Sequence, residues 1–219
     1  KIYLEFSEAD AQEIKDIEKT TNHDVKAVEY FIKKQLKNTA LEEYSEFVHF
    51  GLTSQDINNT AIPFSLQLGL DEVIIPAYKN ILEQLNTCAT LWKTVPLLSR
   101  THGQAATPTT MGKEFAVYAE RLRIQLETLI NTPISAKFGG ATGAFNAHKL
   151  AFPSINWPEF GDHLVADLGL VRSYPTTQID HYDQLAAIFD CLRRMDVILM
   201  DFAKDVWQYI SMDFFKQKI

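Results

Sequence analysis

The stretch DHYDQLAAIFDCLRRMDVILMDFAKDVWQYISMDFF, residues 180–215, decides the fold class. Its apolar residues recur every three or four positions from Leu185 to Ile210, without an internal Pro or Gly. That spacing is typical of one face of an α-helix. Thirty-odd residues at about 1.5 Å each extend about 50 Å, whereas a compact globule of 219 residues is roughly 45 Å across. We therefore predict a long helix in an elongated bundle whose outer faces meet other subunits.

Shorter helical patterns fill most of the remaining chain, and only nine glycines interrupt it. The predicted class is all-α, a bundle of long helices. Apolar spacing and capping residues predict the other helices. One starts at Ser7, with Asp10 completing a capping box, and the next runs from Asn22–Asp24 to Leu36. A short helix covers Leu41–Phe50, and a long one starts at Thr53, with Asp56 as its capping partner and a joint near Gly69, between Pro63 and Pro76. Two more run from Thr107-Pro108 to Asn131 and over Trp157–Leu168.

Composition limits the possible function classes. The net charge of −7 argues against a nucleic-acid scaffold, because phosphate binding needs clustered Lys and Arg. No apolar run reaches the roughly 18 residues of a membrane span, and we expect no leader, because the first residues lack a basic stretch followed by an apolar one. Cys88 and Cys191 lie in helical patterns and are expected to be reduced core thiols of a cytosolic protein. Both ends of the chain are expected to be cut, since it starts at Lys1 and stops at Ile219 directly after a helical run.

Polar residues gather at helix starts and in the joints before them. The densest group is SRTHGQAATPTTMGKE, residues 99–114. His102 in this group is a candidate general acid, because the free imidazole pKa near 6.5 suits proton exchange at neutral pH. Hydroxyl and amide side chains near helix N-termini suit carboxylate and phosphate oxygens, although each such residue could equally be only a helix cap. The other three groups are Asn22-His23-Asp24, His49 with Thr53-Ser54, and Thr176–Gln178.

Two other kinds of site are disfavoured by the sequence. A metal hydrolase built on His23 and Asp24 would need further ligands, but no His precedes His23 and no HxxxH or ExxH pair lies on a predicted helix. We predict no metal site. The glycine-rich segment FGGATGAFNAH, Phe138–His148, lacks the GxGxxG spacing of a dinucleotide site, and no strand is predicted before it. His49 is expected to be a packed, hydrogen-bonded residue, whereas His148, His163 and His181 are expected at the surface or in caps.

Several longer motifs resemble the adenylosuccinate lyases, a family of the fumarase/aspartase superfamily. They extend over the whole chain in order, and the match looks closest to the gamma-proteobacterial branch. The motifs are TTNHDVKAVEYF (Thr20–Phe31), FVHFGLTSQDINN (Phe47–Asn59), LLSRTHGQAATPTTMGKE (Leu97–Glu114), GAFNAH (Gly143–His148), YPTTQID (Tyr174–Asp180) and DVWQYISMDFFKQK from Asp205.

The resemblance implies an enzyme of purine biosynthesis. Its reaction is a β-elimination that releases fumarate from adenylosuccinate, giving AMP, and from succinylaminoimidazole carboxamide ribotide, giving AICAR. No metal or organic cofactor is implied, and no nucleic acid or membrane partner. The family is a cytoplasmic homotetramer whose active sites each collect segments from three subunits. The alternatives are another fumarate-releasing lyase of the superfamily, or a catalytically inactive helical fragment.

Residue roles follow from the same resemblance. His102 matches the family's general acid, which protonates the departing nitrogen. Asn22, His23 and Asp24 match a segment at the substrate phosphate and around the acid. Thr53 and Ser54 match the pair that binds the succinyl carboxylate, and Gln178 matches a substrate-contacting amide.

The chain also departs from the family pattern. Ala105 replaces the Pro that usually follows THGQ. The family's general base is a serine in an SSxMPxKxN loop, which is expected just beyond Ile219. The resemblance therefore divides the chain into the end of a helical N-terminal domain, residues 1–43, and an incomplete central bundle, residues 44–219. These 219 residues alone are expected to be inactive.

Overall fold

The computed structural model describes residues 2–216 and residue 218, and most of them are helical. Two short β pairs accompany the helices. In chain order the elements are α1 (Glu8–Thr21), α2 (Asp24–Leu36), a 3-10 helix (Glu42–His49), α3 (Ser54–Gly69), a π-helical turn (Leu70–Ile74), α4 (Ile75–Leu91), β1 (Pro96–Thr101), β2 (Gln104–Thr110), α5 (Met111–Asn131), β3 (Ser135–Ala136), α6 (Asn146–Ala151), α7 (Trp157–Asp167), β4 (Val171–Arg172) and α8 (Asp183–Ser211).

The chain divides into two compact units. The first unit comprises Lys1–Phe64 and Ser135–His181, and the second comprises Ser65–Ile134 and Tyr182–Ile219. The predicted domain division at residues 43 and 44 concerns the longer protein and stays a prediction. Within the described residues, no helix combines the length and the apolarity needed to cross a membrane.

The second unit is a helical bundle in which α5 packs against both α4 and α8. The 29 residues of α8 extend about 44 Å, so the predicted long helix and the all-α class are confirmed. Free Cys88 lies in α4 and free Cys191 in α8, as predicted. The buried core of this unit is Leu70, Leu85, Leu97, Met111, Phe115, Tyr118, Ala119, Leu122, Leu126, Leu129, Ile188, Cys191, Met195 and Ile198.

The predicted joint near Gly69 is confirmed. The helix α3 ends at Gly69, a single π-helical turn follows, and α4 then starts with Pro76 in its first turn. A proline is tolerated in a first turn because the N–H that it lacks has no intrahelical partner there. Pro63, the first of the two prolines that led to this prediction, lies inside α3.

The segment around His102 forms a β-hairpin that the sequence pattern did not predict. Strands β1 and β2 pair antiparallel, and the turn between them consists of His102 and Gly103, both with positive φ (50° and 76°). A tight two-residue hairpin turn of the commonest kind requires positive φ at both of its central residues. The predicted helix start at Thr107-Pro108 is therefore wrong: Pro108 lies in β2, and α5 begins at Met111 with Thr110 as its cap. A two-stranded ribbon tolerates Pro because each strand has a free edge.

The first unit begins with the helix pair α1 and α2. The predicted capping box is present, since Ser7 and Asp10 each accept a hydrogen bond from the other's backbone N–H. Asn22 then turns left-handed (φ 51°) to end α1, and α2 starts at Asp24, as the break in the helical pattern predicted. In the second segment of this unit, the short strands β3 and β4 pair in parallel and so connect residues 135–136 with residues 171–172. Its buried apolar residues are Val25, Ala27, Phe31, Ala136, Phe138, Phe145, Trp157, Val165 and Leu170.

His148 is a buried residue, so the prediction of a surface or capping role is wrong. The side chain is 1% exposed, and its ring centre lies 4.8 Å from that of Trp157. Gly51 makes room for it, because a Cβ there would lie 2.6 Å from the imidazole. Burial lowers the pKa of His148 below its ordinary value. His163 and His181 are exposed, as expected.

Candidate functional site

Two of the candidate residues from distant parts of the sequence meet at the start of α3. Gln178 Nε2 donates a hydrogen bond to Thr53 Oγ1 at 2.9 Å, across 125 positions of the chain. Thr53 is half-buried, whereas Gln178 is exposed. Ser54 is the first residue of α3, where the leading N–H groups have no intrahelical acceptor. Hydroxyl, amide and backbone donors thus converge in one place.

A buried ion pair lies directly behind Thr53. Asp56 is 1% exposed and Lys137 is fully buried, and Lys137 Nζ lies 2.7 Å from Asp56 Oδ1. The same Asp56 oxygen accepts the backbone N–H groups of Gly139 and Gly140 at 2.9 and 3.1 Å. Its other oxygen accepts the N–H of Thr53 at 2.8 Å, which is the capping contact predicted for Asp56.

Lys137 is a functional candidate that the sequence reading missed. The available signal was a single lysine between the apolar residues Ala136 and Phe138, in a stretch otherwise typical of a core. Lysine is almost never fully buried unless it is paired. Such a position therefore predicts a buried partner, although no local pattern identifies Asp56 as that partner.

The glycine-rich segment brings Gln178 to Thr53. Gly143 has φ 74°, and a Cβ at that position would lie 2.3 Å from the carbonyl oxygen of Thr176 and 2.6 Å from that of Thr177. The backbone leading to Gln178 therefore packs directly on a glycine that no other residue type can replace without movement. The peptide bond between Tyr174 and Pro175, just before this contact, is cis.

Asn22, His23 and Asp24 form the predicted helix start within the same unit. His23 is the cap of α2, and its Nδ1 accepts the N–H of Lys26 at 3.2 Å. Asp24 Oδ1 lies 3.4 Å from the same ring nitrogen. All three residues are exposed. The start of α2 therefore presents an imidazole, a carboxamide and a carboxylate to solvent.

The buried side of α2 carries a charged cluster around Glu29, which is 4% exposed. Burial opposes ionisation of Glu29, but hydrogen bonds from Lys26 and Lys33 outweigh it, so the pKa of this carboxyl lies below its ordinary value. His49 Nδ1 lies 2.9 Å from Glu29 Oε2, and His49 Nε2 lies 3.1 Å from the carbonyl oxygen of Leu52. The expected hydrogen-bonded role of His49 is confirmed, and the cluster holds the chain that enters Thr53.

His102 lies in the second unit, at the tip of the hairpin. It is exposed and left-handed, a conformation that a non-glycine residue adopts rarely and that is common at functional sites. Arg100 Nη1 donates to the carbonyl oxygen of Gly103 at 3.2 Å and so closes the turn beside the imidazole. The hairpin therefore presents His102 to solvent on a short, internally braced turn.

A cavity of about 340 Å³ lies beneath this hairpin, within the second unit. Arg100, Glu114, Asp205 and Tyr209 are among its lining residues. Burial, with the nearby carboxylate of Glu114, raises the pKa of Tyr209 well above its ordinary value. Nowhere in the described part of the chain do three His, Cys, Asp or Glu side chains cluster as metal ligands would.

The fold is that of a helical-bundle protein with hydroxyl and amide donors at a helix start and an exposed histidine on a hairpin turn. The chain belongs to the lyase family, whose model matches residues 1–219. A fumarate lyase from Mesorhizobium sp. BNC1 has the same fold, with a TM-score of 0.77 at 19% identity over 94% of this chain and 46% of that protein.

The sequence comparisons are more specific than the fold. The chain is 54% identical to the adenylosuccinate lyase of Dictyostelium discoideum over 225 residues, which cover 100% of this chain and 48% of that protein. It is 46% identical to the adenylosuccinate lyases of Haemophilus influenzae and Escherichia coli, over 99% of this chain and 48% of each. The resemblance to the adenylosuccinate lyases seen in the motifs is confirmed, while the gamma-proteobacterial branch stays a prediction. The chain spans about half the length of these curated relatives.

Proposed function

We propose that the protein to which this chain belongs is an adenylosuccinate lyase. It releases fumarate from adenylosuccinate, giving AMP, and from succinylaminoimidazole carboxamide ribotide, giving AICAR. The observation that carries the proposal is the identity to adenylosuccinate lyases, 42–54% over nearly the whole chain. The contact between Thr53 and Gln178 supports it, because it joins two residues that the proposal assigns to one substrate.

In the proposed reaction, a base removes a proton from the succinyl carbon next to the one that bears nitrogen. The electron pair of that C–H bond forms the double bond of fumarate, and the C–N bond breaks. His102 protonates the departing nitrogen, a role that its exposed position on the hairpin permits. The base is a serine outside this chain, and the chemistry needs no metal or organic cofactor.

The remaining candidate residues bind substrate oxygens in this proposal. Thr53, Ser54 and Gln178 bind the succinyl carboxylate, which suits their position at the start of a helix. Asn22, His23 and Asp24 lie at the start of α2, near the phosphate of the substrate. The buried cluster around Glu29 keeps that helix start and the entry to Thr53 in place.

We propose further that the protein is a cytoplasmic homotetramer whose active sites combine residues of several subunits. The support is the apolar surface of α8 within its own unit: Phe189 is 54%, Met200 is 59% and Trp207 is 72% exposed. Apolar side chains repeated along one long helix are typical of a face that another helix covers.

The test is a substrate panel on the full-length protein. Purified protein is incubated with adenylosuccinate, argininosuccinate, malate or aspartate, and fumarate is measured by its ultraviolet absorbance and by chromatography. Fumarate from adenylosuccinate, with AMP in equal amount, is the expected result. Fumarate from one of the other compounds alone would assign a different lyase, and no fumarate from any of them would favour an inactive helical scaffold.

A further inference from the structure

The ion pair of Asp56 and Lys137 is more deeply buried than a helix cap requires. A capping carboxylate needs one oxygen and normally lies at the surface. Here both side chains are excluded from solvent, and Lys137 Nζ also donates to the carbonyl oxygen of Gly140 at 2.6 Å. A buried ion pair contributes little more to stability than apolar residues of the same size, because both charges lose their hydration. Stability alone therefore does not account for it.

The contacts of this pair form a closed path around the proposed carboxylate site. One Asp56 oxygen holds the N–H of Thr53, and the other holds Lys137 and the start of the glycine-rich segment. That segment continues to Gly143, on which the backbone of Thr176 and Thr177 rests. The next residue, Gln178, closes the path by donating to Thr53 Oγ1. The Asp56–Lys137 pair thus supports both Thr53 and Gln178, the two partners of this hydrogen bond, on the side away from solvent.

The closed path also determines what the Thr53 hydroxyl can do. A threonine hydroxyl has one hydrogen to donate and lone pairs that accept. When Gln178 Nε2 occupies a lone pair, the hydroxyl hydrogen is left for another acceptor, such as a carboxylate oxygen. Loss of the contact would free the hydroxyl to rotate and to donate to Gln178 or water.

We infer that the buried Asp56–Lys137 pair is a positioning element that orients Thr53 and Gln178 toward the substrate carboxylate. The inference rests on the proposed function, since it concerns the carboxylate of that substrate. Neither side chain touches the substrate; the pair acts through the residues that do. Its effect is therefore on how tightly substrate is bound, more than on the rate of the bound complex.

The first experiment is steady-state kinetics of full-length Asp56→Asn with adenylosuccinate. The amide keeps the shape of the side chain but places an N–H₂ group against the N–H of Thr53 or against Lys137. We expect KM to rise about tenfold or more and kcat to fall less than about threefold. The control is Asp162→Asn, which removes a carboxylate that lies 2.6 Å from Arg172 in the same unit; its KM should stay within about twofold of the wild type.

A second variant distinguishes an effect on the positions of Thr53 and Gln178 from a loss of folding stability. Asp56→Asn combined with Lys137→Met removes both buried charges and should recover part of the thermal stability that the single variant loses. We expect its KM to stay raised, because the single amide oxygen of Asn cannot accept from the N–H of Thr53 and from the N–H groups of Gly139 and Gly140 at the same time. Recovery of wild-type KM together with stability would overturn the inference, as would a folded Asp56→Asn protein with unchanged KM.

Hydrogen exchange measured by mass spectrometry gives a readout that needs no turnover. In Asp56→Asn, exchange should speed up in peptides covering residues 51–56 and 174–180, and Asp162→Asn should leave both unchanged. If wild-type protein releases no fumarate from adenylosuccinate, the proposed function fails, and this exchange pattern still decides whether the pair positions Thr53 and Gln178. Unchanged exchange in both peptides would overturn the positioning role by itself.

Discussion

At the scale of single residues, the hydroxyl of Thr53 carries the most specific expectation. Thr53→Ala removes both the acceptor for Gln178 and the donor for a carboxylate. We expect substrate binding to weaken by about 1–3 kcal/mol, the usual cost of leaving a charged partner unmatched. The measurement is KM and kcat/KM of the full-length variant with adenylosuccinate.

A double-mutant cycle checks that expectation. Gln178→Ala should raise KM by itself, and Thr53→Ala with Gln178→Ala should raise it by less than the product of the two single effects, because the residues share one hydrogen bond. Fully multiplicative effects, or unchanged KM in both single variants, would remove Thr53 and Gln178 from the carboxylate site.

His102 is expected to matter for turnover and little for folding, since it is exposed at a hairpin tip. His102→Gln in the full-length protein should lower kcat by about 10² to 10⁴, the usual share of one general acid. Its thermal unfolding midpoint should stay near that of the wild type. Near-normal turnover by the variant would exclude His102 as the proton donor.

His148 predicts a pH dependence of stability. Its pKa in the folded chain lies below the ordinary value of 6.5, chiefly because the ring is buried. The unfolded chain therefore binds this proton more readily, and protonation favours unfolding as the pH falls through about 6.5. The contribution to stability is complete at higher pH and is lost progressively below that point.

The measurement is the thermal unfolding midpoint of the full-length protein between about pH 8 and pH 5.5. The wild type should lose stability toward acid more steeply than His148→Gln does. His163→Gln serves as the control because His163 is exposed, and it should keep the wild-type slope. Equal slopes in all three proteins would show that His148 is not the group responsible.

At the scale of elements, glycine positions decide how loops reach the site. Gly143→Ala places a methyl group 2.3 Å from the carbonyl oxygen of Thr176 and keeps a left-handed backbone. We expect it to cost about 1–3 kcal/mol in stability and to raise KM by shifting Gln178. Calorimetry and steady-state kinetics of the same preparation measure the two effects.

The matched control is Gly69→Ala at the end of α3. No heavy atom lies within 4 Å of a Cβ at that position, and its φ of −63° is helical. Alanine should be neutral or slightly stabilising there. Equal effects of the two substitutions would mean that the packing of Gly143 on Thr176 does not hold Gln178.

Element boundaries follow the sequence where the signals are local. The capping residues Ser7, Asn22 and Thr53 each lie where a helix starts or stops. Such boundaries can be predicted because the capping hydrogen bonds join groups that are close together in the sequence. The hairpin was missed because its turn is His102-Gly103, which is not one of the Asn-Gly or Asp-Gly pairs that typically indicate a two-residue hairpin turn. Thr107-Pro108 has the sequence of a helix start, but in the structure this segment pairs with β1 and forms part of a strand.

At the scale of the whole molecule, the exposed apolar side chains of α8 predict an assembly. Trp207→Glu in the full-length protein should shift the proposed tetramer toward smaller species, because it places a charge in a face that the proposal buries. Native mass spectrometry measures the distribution. Gln208→Glu adds the same charge at an exposed polar neighbour and should keep the assembly; dissociation of both variants, or of neither, would argue against this face.

A second expectation at this scale concerns the activity of the 219 residues without the rest of the protein. The relatives are about twice as long as this chain, and the proposed base lies outside it. The 219 residues expressed alone should release no fumarate from adenylosuccinate, whereas the full-length protein should release it. Turnover by the short chain would mean that its own residues provide the base.

The sequence by itself determined the all-α class, the helix α8, the joint at Gly69 and the candidate residues, because periodicity, caps and motifs are all encoded within a few residues. Only the tertiary structure decided which distant residues meet. Thr53 contacts Gln178 across 125 positions, Asp56 pairs with Lys137 across 81, and His148 fills the space above Gly51. These contacts depend on how helices and loops pack, and a lysine or histidine becomes buried only when the packed chain brings its partner to it.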